Sequence, residues 1–313
     1  MLSYVAKRLV ATIPVMVIVA VLVFALLRLT PGDPAAIIAG PAGTTQDVIA
    51  IRAKLGLDRP IVAQFFVWIG HLLTGDFGES FFFRKPVAEL IAGRIGPTFA
   101  LATSTIVFSV LVAVPLGVIA AWKQGAWIDR LVMGLSVLGF SVPVFVIGYA
   151  LIYLLSIELG WLPVQGYQPF AEGVVGFVSH LVLPTLTLSV IYIALIARMT
   201  RSSVLDVLSE DYIRTARAKG LASRTILVAH ALRNAALPIV TVIGLGVALL
   251  IGGVVVTESV FAIPGLGRLT VDAVLARDYP TVQAVILLFS FAYLLLNLLV
   301  DLAYVWLDPR IRY

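Results

Sequence analysis

The sequence predicts an all-α integral membrane protein with six transmembrane helices. Of its 313 residues, 61% are hydrophobic and 12% are charged, and the mean hydropathy is +1.07. Soluble domains have about 45–50% apolar and about 25% charged residues. Six apolar runs are each long enough to cross a bilayer as an α-helix, which takes roughly 20 residues. They cover 9–27, 98–122, 131–157, 173–197, 235–257 and 279 to about 303.

The first run follows Lys7 and Arg8, an arrangement that is also typical of a secretory signal peptide. The run is longer than the usual apolar region of such a peptide. It ends in Leu27-Arg28-Leu29-Thr30-Pro31 rather than at a small-residue cleavage site. These features favour a retained transmembrane helix over a signal peptide.

Residues 31–97 are mixed and polar, and they predict a small extracytoplasmic segment. Thr45 is placed to cap a helix that Gly56 ends. A second helix is predicted over 61–73, where apolar residues recur at helical spacing, but it is too short to span and contains His71. We expect this helix to pack on the protein or to lie in the membrane interface.

Prolines within or at the ends of the apolar runs indicate a helical bundle. Lipid tolerates such prolines only where neighbouring helices or water satisfy the freed carbonyl groups. Lys and Arg are more frequent on the side of the two termini, which places both termini in the cytoplasm by the positive-inside rule. The net charge of +5 is explained in this way and not by a nucleic-acid partner. The prolines are Pro115, Pro143, Pro184 and Pro238.

A polar stretch at 209–220, inside the longest predicted cytoplasmic loop, has the pattern of a short helix. Ser209 is placed to cap it, Glu210 and Asp211 lie at the positive end of the helix dipole, and Gly220 is placed to end it. Glu210 also stands four residues before Arg214, a favourable order for an ion pair. A solvated loop helix has the same composition. We expect its apolar residues to pack against the membrane surface, the end of the bundle or another subunit. These residues are Tyr212, Ile213, Ala216 and Leu221.

The motifs of common enzyme classes do not occur in the sequence. No lysine follows a glycine, so a nucleotide-binding loop cannot be written, and neither G-x-S-x-G nor H-E-x-x-H is found. There is no cysteine, and His71, His180 and His230 are scattered. We therefore expect no enzyme activity and no cofactor or metal in this chain. The first five runs hold no charged residue, which argues against a self-contained ion-coupled carrier.

Two further features concern the fifth run and the segment after it. Gly244, Ala248 and Gly252 recur every four residues and predict a smooth helix face, either for packing in the same bundle or for a subunit contact or pathway. Glu258 and Asp272 are predicted in an external loop, in a solvated or loop-bracing role.

The stretch from Tyr212 to Leu221, followed by His230-Ala231-Leu232-Arg233-Asn234-Ala235-Ala236-Leu237-Pro238, resembles the cytoplasmic coupling loop of ABC importer permeases. More narrowly, the chain is similar to the first membrane subunit of dipeptide and oligopeptide permeases. Arg214-Thr215-Ala216 replaces the E-A-A of the wider importer pattern, and Leu237-Pro238 comes later than that pattern has it. Supporting stretches are Thr30-Pro31-Gly32-Asp33-Pro34-Ala35, Gly56-Leu57-Asp58-Arg59-Pro60, Gly75-Asp76-Phe77-Gly78, Ser141-Val142-Pro143-Val144-Phe145, Glu258-Ser259-Val260-Phe261-Ala262-Ile263-Pro264-Gly265-Leu266-Gly267-Arg268 and Leu307-Asp308-Pro309-Arg310-Ile311-Arg312-Tyr313.

The resemblance implies a type I ABC importer permease in the bacterial inner (plasma) membrane. It implies a second, homologous permease subunit, cytoplasmic ATP-binding subunits that hold ATP and Mg, and an extracytoplasmic binding protein. Short peptides are the implied substrate; glutathione, nickel complexes and oligosaccharides are the alternatives within the family. The implied contacts with the ATPase are Tyr212, Arg214, Thr215, Ala216, Arg217, Ala218, Lys219 and Gly220.

The resemblance also gives the domain organisation. Residues 1–94 hold the first transmembrane helix and the extracytoplasmic segment. Residues 95–308 form the permease domain, and residues 309–313 form a cytoplasmic tail.

Overall fold

The structure is a computed structural model that describes residues 2–29, 33–39, 44–54 and 56–307. The predicted tail at 309–313 lies outside the described residues, as do Thr30, Pro31 and Gly32 of the motif after the first run. α-Helices make up most of the described chain. In chain order they are α1 (Leu2–Leu29), α2 (Pro34–Ala39), α3 (Thr45–Lys54), α4 (Ile61–Leu73), α5 (Val87–Trp122), α6 (Trp127–Ser141), α7 (Val144–Leu151), α8 (Val174–Leu208), α9 (Asp211–Ala218), α10 (Ser223–Thr225), α11 (Ala236–Val260), α12 (Leu266–Leu275) and α13 (Tyr279–Leu307).

All six predicted apolar runs lie largely in helices, which confirms the helical membrane class. Four helices of the described chain are long and apolar enough to cross a membrane, namely α5, α8, α11 and α13. Helix α6 forms a fifth candidate span together with α7 and the π-helical segment Ile152–Glu158 that continues it. In α1 the apolar stretch is Val10–Leu26.

The predicted run over 131–157 is interrupted at Pro143, one of the prolines noted in the sequence, and is not one continuous helix. The chain bends by 104° between α6 and α7. Val142 has extended backbone angles, and Pro143 follows with φ −57° and ψ 139°. Proline lacks an N–H group and disfavours a helical conformation in the residue before it, so the helix ends there and restarts at Val144.

The chain forms two compact units, Met1–Ile95 with Leu269–Leu294 and Gly96–Arg268 with Leu295–Tyr313. In the second unit, α8 supplies much of the buried core through Leu188, Tyr192 and Ile196, which cluster with residues of α5 and α11. Gly117 of α5 lies against the backbone of α8: a Cβ atom there would come within 2.6 Å of the carbonyl oxygen of Ala197.

In the first unit, α4 spans the predicted residues and packs on the protein. The ring of Phe24 in α1 lies 5.1 Å from that of Phe65 and 5.5 Å from that of Trp68, centroid to centroid. The opposite face of α4, with Val62 and Phe66, is exposed. Helix α4 is therefore joined to α1 through aromatic contacts on one side only.

The loop before α5 is held by the buried carboxylate of Asp278, in the same unit. Ser80 Oγ donates to Asp278 Oδ2 at 2.5 Å, and the backbone N–H of Phe81 donates to Oδ1 at 3.2 Å. Thr281 Oγ1 also donates to Oδ2, at 2.7 Å. These bonds fix the start of a short turn whose residue Arg84 has a positive φ of 52°.

Candidate coupling site

The predicted polar helix is present as α9, but its start differs from the prediction. Glu210, in extended conformation, occupies the N-cap position, and no side chain caps the helix. Ser209 instead ends α8: its N–H donates to the Leu205 carbonyl at 3.2 Å, and its Oγ donates to the Asp206 carbonyl at 2.6 Å. Because α8 continues to Leu208, the polar groups of Ser209 are used by the preceding helix.

The end of α9 agrees with the prediction. Gly220 has a φ of +75°, the left-handed conformation that glycine adopts without a steric penalty. Its N–H donates to the Arg217 carbonyl at 2.9 Å, and the N–H of Leu221 donates to the Ala216 carbonyl at 3.2 Å. The chain therefore turns sharply after α9, as in a glycine-terminated helix.

One face of α9 is buried against the chain itself. Ile213 is fully buried, Ala216 is 9% exposed, and both cluster with Ile226. Val207 and Leu208, from the last turn of α8, pack against this cluster. Three of the four apolar residues of the predicted helix thus pack within the chain itself, namely Ile213, Ala216 and Leu221. Helix α9 is fixed to the end of α8.

The other face of α9 is exposed and basic. Arg217 and Lys219 form no ion pair with any residue that the structure describes. Of the predicted coupling residues, Ala216 alone is buried. The remaining ones, Tyr212, Arg214, Thr215, Arg217, Ala218, Lys219 and Gly220, are exposed.

Two polar contacts order this exposed face. Arg214 pairs with Asp211 one turn before it, and not with Glu210 as predicted. The reason is that α9 starts at Asp211, which leaves Glu210 in the non-helical cap position. Tyr212 is 43% exposed, and its hydroxyl oxygen accepts a 3.0 Å hydrogen bond from Asn234 Nδ2.

An ion pair that was not predicted from the sequence involves α8, the helix whose last turn packs against α9. Arg201 of α8 donates from Nε to Asp129 Oδ1 at 2.5 Å and from Nη2 to Oδ2 at 2.8 Å. The backbone N–H of Gly125 also donates to Oδ2, at 2.9 Å. Asp129 is buried in the first turn of α6. The partners are far apart in the sequence, and no local pattern marks the pair.

The small residues that recur along α11, Gly244, Ala248 and Gly252, lie in different environments. A Cβ atom on Gly244 would lie 2.6 Å from Cγ2 of Val300, so this position packs against α13. A Cβ atom on Gly252 would meet nothing within 4 Å, and Gly252 is exposed. Ala248, between them, is half-buried. Among the residues that the structure describes, Gly244 therefore packs against α13, whereas Gly252 faces open space.

At the end of α11 that is remote from α9, Glu258 is fully buried and not in an external loop as predicted. Its carboxylate accepts hydrogen bonds from Thr98 Oγ1 at 2.5 Å and from the backbone N–H of Arg268 at 3.0 Å. A Cβ atom on Gly265 would collide with this carboxylate. Glu258 thus braces the loop after α11. Asp272 lies in α12.

The fold defines the class of protein. It matches a solved structure of the MetNI methionine ABC transporter in an inward-facing conformation, with a TM-score of 0.59 and 19% sequence identity. The match covers 70% of this chain and 96% of that chain. The described helices therefore have the fold of a type I ABC importer permease.

The chain belongs to the family of binding-protein-dependent transport system inner membrane components. The family model matches residues 113–313, and the model of the family's N-terminal part matches residues 1–102. The chain is 55% identical to a probable peptide ABC transporter permease protein, y4tP, of Sinorhizobium fredii, over 99% of both chains. It is 48% identical over the full length of both chains to the glutathione transport system permease protein GsiC of Escherichia coli K12 and of Salmonella typhimurium.

Proposed function

We propose that this chain is a permease subunit of an ATP-driven importer that carries short peptides across the bacterial plasma membrane. In this proposal it pairs with a second, homologous permease and receives substrate from an extracytoplasmic binding protein. ATP and Mg are bound by separate ATPase subunits, and the chain itself holds no cofactor and is not an enzyme. The family assignment and the peptide and glutathione permeases among its relatives support this proposal.

The observation that carries the proposal is the two-sided construction of α9. Ile213 and Ala216 attach one face to the end of α8, while Arg217 and Lys219 stand exposed on the other. A partner that contacts the exposed face therefore moves α8, because the buried face leaves little freedom between the two helices. We assign the exposed residues of α9 to contact with the ATPase, with Arg214, Arg217 and Lys219 as polar contacts and Tyr212 as the apolar anchor.

The proposal places α9 and both termini in the cytoplasm, as the distribution of Lys and Arg favours. The chain contains no cysteine, so a single introduced thiol is a specific label. In inside-out vesicles prepared without the ATPase subunits, which would otherwise cover this position, Lys219→Cys should react with a membrane-impermeant maleimide, and in intact cells it should stay unlabelled. The reverse pattern would overturn the orientation.

The domain limits remain a proposal as well. We assign residues 1–94 to the first helix with its extracytoplasmic segment and residues 95–308 to the permease domain. The two family models, which match residues 1–102 and 113–313, support a division in this region.

The function is tested by reconstitution in proteoliposomes with the second permease, the ATPases and the binding protein. The doubly charge-reversed variant Arg217→Glu/Lys219→Glu should reduce ATP-driven uptake by at least about tenfold, because like charges at an interface cost several kcal/mol. Lys123→Glu, an exposed charge reversal outside α9, is the matched control and should keep wild-type uptake. Undiminished uptake by the double variant would remove α9 as the coupling site.

The substrate and the energy source need separate measurements. Uptake of labelled dipeptide should be competed by other short peptides; stronger competition by glutathione, a nickel complex or an oligosaccharide would assign that alternative. A different class of function, a self-contained ion-coupled carrier, would show uptake by this chain alone along an ion gradient. Uptake that instead requires ATP and the partner subunits supports the importer.

A further inference from the structure

The Asp129–Arg201 pair joins the start of α6 to the part of α8 that leads into α9. Arg201 lies seven residues before the last residue of α8, which is about 10 Å along a helix that rises 1.5 Å per residue. Val207 and Leu208, at that end, hold the buried face of α9. The ion pair is thus two turns from the point at which a movement of α9 enters α8.

The geometry of the pair suits a stiff connection. Two parallel hydrogen bonds hold the guanidinium group in the plane of the carboxylate, which restricts both distance and rotation. The Asp129 side chain is 6% exposed and that of Arg201 is 23% exposed, so water screens the pair only in part. The third hydrogen bond, from Gly125, ties the carboxylate to the turn that precedes α6.

The packing around the pair leaves the two helices little freedom near α9. Thr200, next to Arg201, is buried against Gly117 of α5. Farther along, Gly139 of α6 lies close to Val190 and Ala194 of α8, with 3.1 Å between a Cβ atom built on Gly139 and Val190 Cγ1. Helix α8 therefore packs against α5 beside Arg201 and against α6 at Gly139, and of the two α6 contacts the ion pair is the one nearer to α9.

We infer that Asp129 and Arg201 are positioning residues that make α6 and α8 move as one body when the ATPase displaces α9. This inference rests on the proposed function, and it adds a residue pair outside the predicted coupling loop. Without the pair, α8 can tilt while α6 stays behind. Hydrolysis of ATP then continues, but less of the movement reaches the bent segment formed by α6 and α7.

The test measures the amount of probe taken up per ATP hydrolysed by the complete reconstituted transporter. The probe is a labelled dipeptide or labelled glutathione, whichever the wild-type complex imports. Asp129→Asn and Arg201→Gln should each lower this ratio by about threefold to tenfold, which lies within the range that side chains along a coupling path contribute. The exchanged variant Asp129→Arg/Arg201→Asp should recover a large part of it. Lys85→Gln, which breaks an exposed ion pair with Glu89, is the control and should leave the ratio unchanged.

A second readout follows the helices directly. Spin labels at Gly134→Cys on α6, where a side chain meets open space, and at Ser202→Cys on α8, which is exposed, report the distance between the helices. In the otherwise wild-type complex this distance should be the same without nucleotide and after trapping with ATP and vanadate. In Asp129→Asn it should change on trapping, and in the exchanged variant it should again stay constant.

The outcomes separate this inference from the proposed function. A wild-type complex that imports the probe with ATP, with pair variants that match it in both readouts, overturns the role of the pair alone. A complex that neither imports nor hydrolyses ATP in response to the binding protein overturns the proposed function. If Asp129→Asn fails to assemble, Arg201→Lys, which keeps the charge but loses the paired geometry, should show a smaller fall in the ratio; a wild-type ratio would count against the inference.

Discussion

Thr98 Oγ1 donates a 2.5 Å hydrogen bond to Glu258 Oε1 and accepts one of 2.8 Å from the backbone N–H of Leu266. One hydroxyl group thus joins α5, the last turn of α11 and the first residue of α12. Because Glu258 also accepts the N–H of Arg268, the loop between α11 and α12 is held from both sides. This arrangement gives a fully buried acidic side chain a structural role.

Replacing Thr98 by Val should destabilise the protein. The substitution keeps the shape but removes the two hydrogen bonds that the Thr98 hydroxyl makes to the buried Glu258 carboxylate and to the N–H of Leu266, and a buried group that loses its hydrogen bond costs about 1–3 kcal/mol. The apparent melting temperature in detergent should fall. Thr103→Val, on an exposed site of the same helix, is the matched control and should melt like the wild type. Equal melting of both variants would mean that the hydroxyl of Thr98 does not brace the loop.

Gly117→Ala should be destabilising even though alanine favours a helix. The new methyl group would meet the backbone oxygen of Ala197 and Cβ of Thr200, each at 2.6 Å. Overpacking of this kind costs about 1–3 kcal/mol and outweighs the roughly 0.5–1 kcal/mol gained in helix propensity. Gly134→Ala has open space around it and should keep or raise the melting temperature. A stabilising effect at Gly117 would show that α5 and α8 are farther apart than the structure has them.

Gly220→Ala should loosen the end of α9 by about 1 kcal/mol, since an L-residue with a side chain is strained at a φ of +75°. Space is not the cause, because a Cβ atom there meets nothing within 4 Å. Asn adopts the left-handed conformation more readily, so Gly220→Asn should lose less. Hydrogen exchange at the amides of Gly220 and Leu221 measures the difference. Equal protection in all three proteins would contradict the role of this glycine.

Enlarging Gly244 should affect the folding of this chain, whereas enlarging Gly252 should affect its assembly with a partner. Gly244 packs against Val300, so its enlargement should lower the melting temperature of the chain itself. Gly252 has open space, and its enlargement should leave the isolated chain stable. If this face of α11 contacts the second permease, which is one of the predicted roles of the small-residue face, Gly252→Leu should reduce co-purification of that subunit. Unchanged co-purification would count against a subunit contact at this position.

The sequence predicted the features that depend on local pattern. Long uncharged runs located the membrane helices, and the apolar spacing over 61–73 located α4 at the same residues that the structure shows. Gly220 was identified as a helix end because its conformation is a local property of the backbone. The polar pattern predicted the short helix α9, and the family resemblance assigned it to coupling, because neither composition nor periodicity separated it from an ordinary loop helix.

The errors concern choices between competing local partners and contacts between distant segments. Ser209 was expected to cap α9, but α8 extends far enough to use its polar groups. Glu258 was expected in an external loop, but its carboxylate is buried and accepts hydrogen bonds from Thr98 and Arg268. Thr98 is far away in the chain, so no local pattern indicates this contact. The Asp129–Arg201 pair was missed for the same reason, because no pattern near either residue specifies the other.

The division of α9 into an anchoring face and an exposed face also bears on how such transporters diversify. Ile213 and Ala216 stabilise the fold of this chain through buried contacts, whereas the outward residues are exposed. Under the proposed function, natural variation at the outward positions is therefore free to follow changes in the ATPase. A hybrid chain that keeps Ile213 and Ala216 but carries the outward α9 residues of another permease should fold normally and bind the ATPase subunits of that permease.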